Sequence, residues 1–144
     1  IAKVLTKFSV NPGLDVVNFF EIVLFSFLTG NADMHLKNFS LIHQPQTGPL
    51  LSPAYDLIAT ALVNPADNEE LALTLNGKKK KIKRSDFTAA FNSLKLEEKQ
   101  QINIFKKMEN AKPKWFDFIE ISFLNDELKG SYKALIAERF QRIV

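Results

Sequence analysis

The residues with the most chemistry to offer lie between positions 33 and 56. Asp33 and Asn38 stand in a D-x-x-x-x-N spacing, and a second carboxylate, Asp56, arrives after a short segment that reads as a hairpin. This set suits phosphoryl transfer to a hydroxyl, a reaction that asks little covalent work of the protein. One carboxylate, Asp33, would accept or orient the hydroxyl proton. An amide oxygen from Asn38 and the carboxylate of Asp56 would hold Mg²⁺, a hard cation that prefers oxygen ligands and keeps several waters. Asp and Asn are common in loops, so D-x₄-N has little weight without its context.

The context is a support on each side. From Asp15, read as an N-cap, to Gly30, read as the stop, a helix is expected, and the apolar residues from Val16 to Leu28 surround its axis. A helix buried on most sides ends near the middle of the domain, so the loop Asn31–Asn38 starts beside the core. Phe39–His43 and Leu50-Leu51 read as strands around an irregular loop, a ribbon that folds Asp56 back toward Asn38. Before the buried helix, Ile1, Val4, Leu5 and Phe8 form a helical stripe, and Asn11-Pro12-Gly13 reads as a turn. After Asp56, Leu57–Leu62 suggests a short helix ended by Asn64-Pro65. Asn76-Gly77 is a strong hairpin signal between Glu70–Leu75 and Lys79–Ile82. Ser85 is a candidate N-cap for a helix over Asp86–Leu94. Leu96–Asn110, Lys114–Leu124 and Glu127–Ile143 then read as three amphipathic helices, separated by Pro113 and by Asn125-Asp126. The expected fold class is mainly α (α+β), with two small β-hairpins after the buried helix.

The segment Gly30-Asn31-Ala32-Asp33-Met34-His35-Leu36-Lys37-Asn38-Phe39-Ser40-Leu41, followed by Ser52-Pro53-Ala54-Tyr55-Asp56-Leu57, closely resembles the catalytic and metal-binding segments of HipA-type serine/threonine protein kinases. These are toxins of bacterial toxin–antitoxin pairs. The resemblance extends over residues 1–144, as one domain corresponding to the helical C-terminal lobe of a protein-kinase-like fold. It implies Asp33 as catalytic base, Asn38 and Asp56 as Mg²⁺ ligands, ATP and Mg²⁺ as cofactors, and a protein hydroxyl as substrate. It also implies a helix-turn-helix antitoxin as partner, DNA reached only through that antitoxin, and a bacterial cytoplasmic location. Asp56 corresponds to the Asp that begins D-F-G in eukaryotic-type kinases, but Leu57 and Ile58 follow it here. His35 and Lys37 are the cations near the expected γ-phosphate. Lys37 is assigned to catalysis and His35 to the nucleotide, against a hydrogen-bonded loop organiser for His35 and a solvated side chain for Lys37.

Much else is excluded or expected to be missing. With 144 residues, 46% hydrophobic, 24% charged and only five Gly and six Pro, the chain is an ordinary globular domain rather than a disordered one. The absence of Cys excludes a disulfide scaffold, a thiolate zinc site and a Cys nucleophile. A zinc site on His35 and His43 lacks the usual ligand spacing. No basic n-region opens the chain, and the apolar stretch without formal charge, Ile22–Ala32, is too short to span a bilayer. The formal charge of +3 comes from one heptapeptide, Lys78–Arg84, which holds six of the nineteen basic residues. Thirteen basic residues then face sixteen acidic ones, so the surface is near neutral with one basic run, read as a solvated hairpin arm. Trp115, Phe116, Phe118 and Phe123 read as core.

No G-x-G-x-x-G precedes Asp33, and Lys3 stands too close to it for an intervening nucleotide lobe. With Ile at position 1, the chain reads as a lobe of something longer, with little or no activity alone. Two other classes stay open: a small-molecule phosphotransferase of the aminoglycoside or choline kinase type, and a non-catalytic helical binding module.

Overall fold

Helix α2, Pro12–Thr29, is the element around which the others assemble in the computed structural model, which describes residues 1–64, 66 and 68–143. Its buried residues Phe20, Leu24, Phe27 and Leu28 face α1 (Ala2–Phe8), α5 (Glu98–Glu120) and α6 (Asp126–Gln141). Phe20 meets Phe91 edge-on at 4.8 Å, and Phe27 meets Phe87 at 5.8 Å, so α4 (Arg84–Ser93) closes the same core. Each of these aromatic side chains, fully buried, contributes about 2–3 kcal/mol of apolar transfer free energy. Among the described residues α2 is the one helix long and apolar enough to cross a membrane, and 56% of it is buried inside the protein, as a core helix is.

The mainly α reading holds, and its departures have physical reasons. Helix α2 begins at Pro12, not Asp15, because proline's missing N–H and fixed φ suit a first helical position. Asp15 instead turns inward, where its Oδ2 accepts the Ser9 hydroxyl (2.6 Å) and the Leu51 N–H (2.7 Å), tying the helix to the ribbon. In α1 the buried residues are Ala2 and Leu5, while Val4 and Phe8 are exposed.

Strands β1 (Leu41–Gln44) and β2 (Gly48–Leu51) pair antiparallel with Leu41 opposite Leu51. They form the sole sheet among the described residues. The turn at Asn76-Gly77 forms, with both residues at positive φ (50° and 74°), but it closes a single bridge between Leu75 and Lys78. The second hairpin is therefore a turn without strands. The polar groups around it converge on one buried carboxylate instead: Asp86 accepts Asn76 Nδ2 (2.9 Å), Lys78 Nζ (2.7 Å) and the Lys83 N–H (3.0 Å). That last bond caps α4 from its third position, so α4 starts at Arg84 rather than after Ser85.

Helix α3 is short, Thr60–Val63, and the expected stop at Asn64-Pro65 falls partly on Pro65, outside the described residues, as Val144 does. Residues 98–120 form one helix through Pro113, so two of the expected three C-terminal helices are one. Packing against α2 and α6 holds the turn that the missing N–H weakens. Along it, Trp115 stacks edge-on with Phe25 (5.2 Å) and Phe116 is half-buried, but Phe118 and Phe123 are exposed rather than core. Asn125 caps α6 by accepting the Leu128 N–H at 2.8 Å.

Candidate active site

The chain leaves α2 through a reversal that only glycine accommodates. Gly30 sits at φ 75°, its N–H returns to the Phe27 carbonyl (3.3 Å), and the Asn31 N–H returns to Ser26 (2.8 Å). This is the double bond of a Schellman motif. A Cβ on Gly30 would lie 3.1 Å from Leu135 and 3.2 Å from Ala61, so backbone conformation and space both select glycine.

Beyond Gly30 a short series of hydrogen bonds shapes the loop, while Asn31 Nδ2 and His35 Nδ1 are buried without a partner among the described residues. Buried Asn31 accepts the Asp33 N–H (3.1 Å), an Asx turn that sets the carboxylate-bearing residue. The Thr60 hydroxyl accepts the Ala32 N–H (2.8 Å) and donates to the Gly30 carbonyl (3.3 Å), which also takes the Ala61 N–H (2.9 Å). The His35 N–H folds back onto the Asp33 carbonyl (2.8 Å), and Leu36–Asn38 makes one 3-10 turn.

The ribbon delivers Asp56 from the other side. Ser40 and Ser52 bond through their hydroxyls (3.0 Å), and the Tyr55 hydroxyl donates to the Lys37 carbonyl (2.9 Å). Asp56 occupies the left-handed region at φ 55°, costing of the order of 1 kcal/mol for a residue with a Cβ. Asn38 is buried and joins the two segments: its Nδ2 donates to the Asp33 carbonyl (3.2 Å) and to Asp56 Oδ2 (3.1 Å). With the amide nitrogen so used, Asn38 Oδ1 takes no hydrogen bond from a described residue, and Asp56 has Asn38 as its one side-chain partner among them.

The expected residues thus fall into two groups. Asp33, Asn38 and Asp56 share one corner of the fold, with the side chain of Asp33 exposed. His35 lies at the same place: its Nε2 is 3.8 Å from Asp33 Oδ1, beyond a hydrogen bond, while its Nδ1 is buried without a partner. Lys37 contributes its carbonyl to the ribbon, and its side chain is exposed. His43 lies on β1 opposite Pro49, and the described residues contain no group of three or more His, Asp or Glu able to hold a metal.

An amide oxygen and a carboxylate that are free of other partners fit Mg²⁺, which takes few protein ligands and completes its shell with water and phosphate. Neither of the two large apolar cavities, about 480 and 570 Å³, is lined by Asp33, Asn38 or Asp56. Asn31, Thr60 and Tyr55, which fix the geometry, were not picked out by the sequence reading. The Asn-x-Asp spacing was a detectable signal for the first, whereas Thr60 and Tyr55 act across gaps of 28 and 18 residues.

Three comparisons bear on this arrangement. A segment of 46 residues is 56% identical to a Sinorhizobium fredii protein named "Putative kinase Y4dM", covering 32% of this chain and 11% of that one. A second S. fredii protein, "Putative kinase Y4mE", is 40% identical over 58 residues, 40% of this chain and 14% of its own. Among solved structures, the Shewanella oneidensis HipA, HipB and operator DNA complex includes a chain that superposes with a TM-score of 0.76 at 24% identity. That match covers 96% of this chain and 34% of the other, so the likeness is one of fold, and this chain spans about a third of its neighbour. The family described as the HipA-like C-terminal domain matches residues 1–115, and the chain belongs to it.

Proposed function

We propose that this chain carries the catalytic and metal-binding half of a serine/threonine protein kinase that transfers the γ-phosphoryl group of Mg²⁺-ATP. The observation behind this reading is the pair of Asn38 bonds, which hold the Asp33 backbone and the Asp56 carboxylate at 3.2 and 3.1 Å from one amide. Asp33, exposed beside them, accepts the proton of the attacking serine or threonine hydroxyl. Asn38 Oδ1 and the Asp56 carboxylate hold the metal. When bound, Mg²⁺ offsets charge on the phosphate oxygens. His35, when protonated, adds positive charge beside Asp33, and the exposed Lys37 is the other cation of the loop that would meet the γ-phosphate. The Asn31 and Thr60 bonds keep Asp33 in place, so little reorganisation accompanies the chemistry.

In this reading the chain does not supply the cover over the nucleotide, and activity belongs to the intact protein of the bacterial cytoplasm. The compared toxin–antitoxin complex of HipA, HipB and operator DNA favours a toxin restrained by an antitoxin, and the resemblance adds that this antitoxin is a helix-turn-helix protein through which DNA is contacted. A small-molecule kinase would use the same Asp33, Asn38 and Asp56. The Lys37-Asn38-Phe39-Ser40 and Pro53-Ala54-Tyr55-Asp56 contexts favour the protein kinase. The test is phosphate transfer by the intact protein from Mg²⁺-ATP to serine or threonine of a protein acceptor. Asp33→Asn should lower kcat by about 10²–10⁴-fold while the fold is kept. Undiminished transfer by that variant would remove Asp33 from the chemistry.

A further inference from the structure

We infer that Arg139 and Leu135 of helix α6 are positioning residues for the loop that carries Asp33 and Asn38. They act by locking the end of α2 from which that loop departs. The inference rests on the catalytic reading given above for Asp33, and α6 lies beyond residues 1–115, which the family description matches.

The Phe27 carbonyl accepts the Gly30 N–H that reverses the chain (3.3 Å), and it also accepts Arg139 Nη1 at 3.1 Å. Arg139 is buried, and its guanidinium lies 4.8 Å from the Phe27 ring centroid. A cation at a helix C-terminus meets the negative end of the helix dipole and the carbonyls left without partners there. Leu135 fills the space above Gly30, with its Cδ2 3.1 Å from where a glycine Cβ would stand. Ala61 closes the other side at 3.2 Å. Gly30 is therefore packed against α6 and α3, and the loop beyond it is tied by three bonds: the Ala61 N–H and the Thr60 hydroxyl donate to the Gly30 carbonyl, and the Ala32 N–H donates to the Thr60 hydroxyl. Loosening Arg139 frees the first link of that series and not the last.

Amide hydrogen exchange on the intact protein reads this directly and does not need the kinase to work. In Arg139→Met, the Asp33, His35 and Asn38 amides should exchange about tenfold faster or more, with the α5 amides of Ile104 and Phe105 changing much less. Arg139→Lys, which keeps a cation at the same carbonyl, should restore part of the protection. Should Arg139→Met not fold, Leu135→Ala tests the same lock without removing the buried guanidinium, with the same pattern expected. Equal acceleration in loop and α5, or none in the loop, would overturn the inference. In phosphotransfer, Arg139→Met should lower kcat with little change in KM for ATP. If loop exchange rises while Asp33→Asn retains full activity, the lock stands and the catalytic reading fails.

Discussion

The molecule makes the same bond twice, with opposite consequences. Asn38 donates its amide to Asp56 at 3.1 Å, and Asn76 donates its amide to Asp86 at 2.9 Å. Around Asp86 both carboxylate oxygens are filled: one takes Asn76 and Lys78, the other the Lys83 N–H. The carboxylate is buried, and burial pushes its pKa up. The bonds from Lys78, Asn76 and the Lys83 N–H outweigh that and hold it below the ordinary value. Asp56 is exposed, and among the described residues has one side-chain donor, from a residue whose own oxygen is unengaged. A carboxylate with both oxygens engaged by the protein holds the fold together. One with a single donor can still bind a cation.

The comparison is tested most strongly by removing each carboxylate. Asp86→Ala removes the buried acceptor shared by Lys78, Asn76 and the Lys83 N–H, and with it the cap of α4, and should cost about 2 kcal/mol in chemical denaturation. Asp56→Ala removes one bond at an exposed, left-handed residue and should change stability by less than about 1 kcal/mol. Mn²⁺ used as a paramagnetic probe should broaden the amide resonances of Asn38 and Asp56 in the wild type and lose that effect in Asp56→Ala. Similar destabilisation by the two variants would erase the distinction.

Acid separates the regions more gently. Glu70 belongs with Asp86. Burial pushes its pKa up, but the paired bonds from Arg142 (2.7 and 2.8 Å) and the Ile82 N–H (2.9 Å) bring it below the ordinary value. A carboxylate whose pKa is lowered on folding contributes stability above its unfolded value, and that contribution is lost as pH falls through the folded value. With ordinary values of 3.8 for Asp86 and 4.5 for Glu70, the thermal midpoint should begin to fall near pH 4–5 and continue downward. In Asp86→Asn the midpoint should start lower and its acid slope should flatten. An unchanged slope would show that Asp86 carries none of the linkage.

Sequence reading singled out one of these clusters and not the other, for reasons of range. Asp33, Asn38 and Asp56 were legible because order and spacing are fixed by local geometry: a buried helix ending at Gly30, one 3-10 turn, and a ribbon of four-residue strands. The Asp86 cluster gave no such signal, since a Lys-rich stretch flanking Asn-Gly reads as a solvated arm whichever carboxylate lies beneath it. The turn was legible and the strands were not. Asn76 and Gly77 adopt the conformations their types favour, but the regular ladder is limited to Leu75–Lys78; the Glu70 and Leu71 N–H groups both donate to the one Lys79 carbonyl, and Ile82 enters the core. Pro113 misled for a similar reason, because its local cost was visible and the packing that offsets it was not.

The smallest expected effect divides the basic run itself. Lys78 is held by Asp86 and Lys79 by Glu69, while Arg84 donates to the Ile143 carbonyl (2.7 Å) and lies 4.0 Å from the Phe105 ring centroid. Lys80, Lys81 and Lys83 are exposed, and Lys81 sits at φ 55°. If the run were a uniform solvated arm, neutralising any of its lysines would be equivalent. The structure makes them unequal. Lys80→Ser and Lys83→Ser should each change stability by less than about 0.5 kcal/mol, since exposed charges without a close partner contribute little. Lys78→Ser leaves one oxygen of a buried carboxylate short of a cation and should cost about 1–2 kcal/mol. Lys81→Gly should stabilise slightly, by about 0.5 kcal/mol, because glycine adopts positive φ without a Cβ clash. Urea midpoints for the four variants give the order directly, and equal midpoints for Lys78→Ser and Lys80→Ser would mean that the Asp86 cluster does not distinguish its lysine from its neighbours.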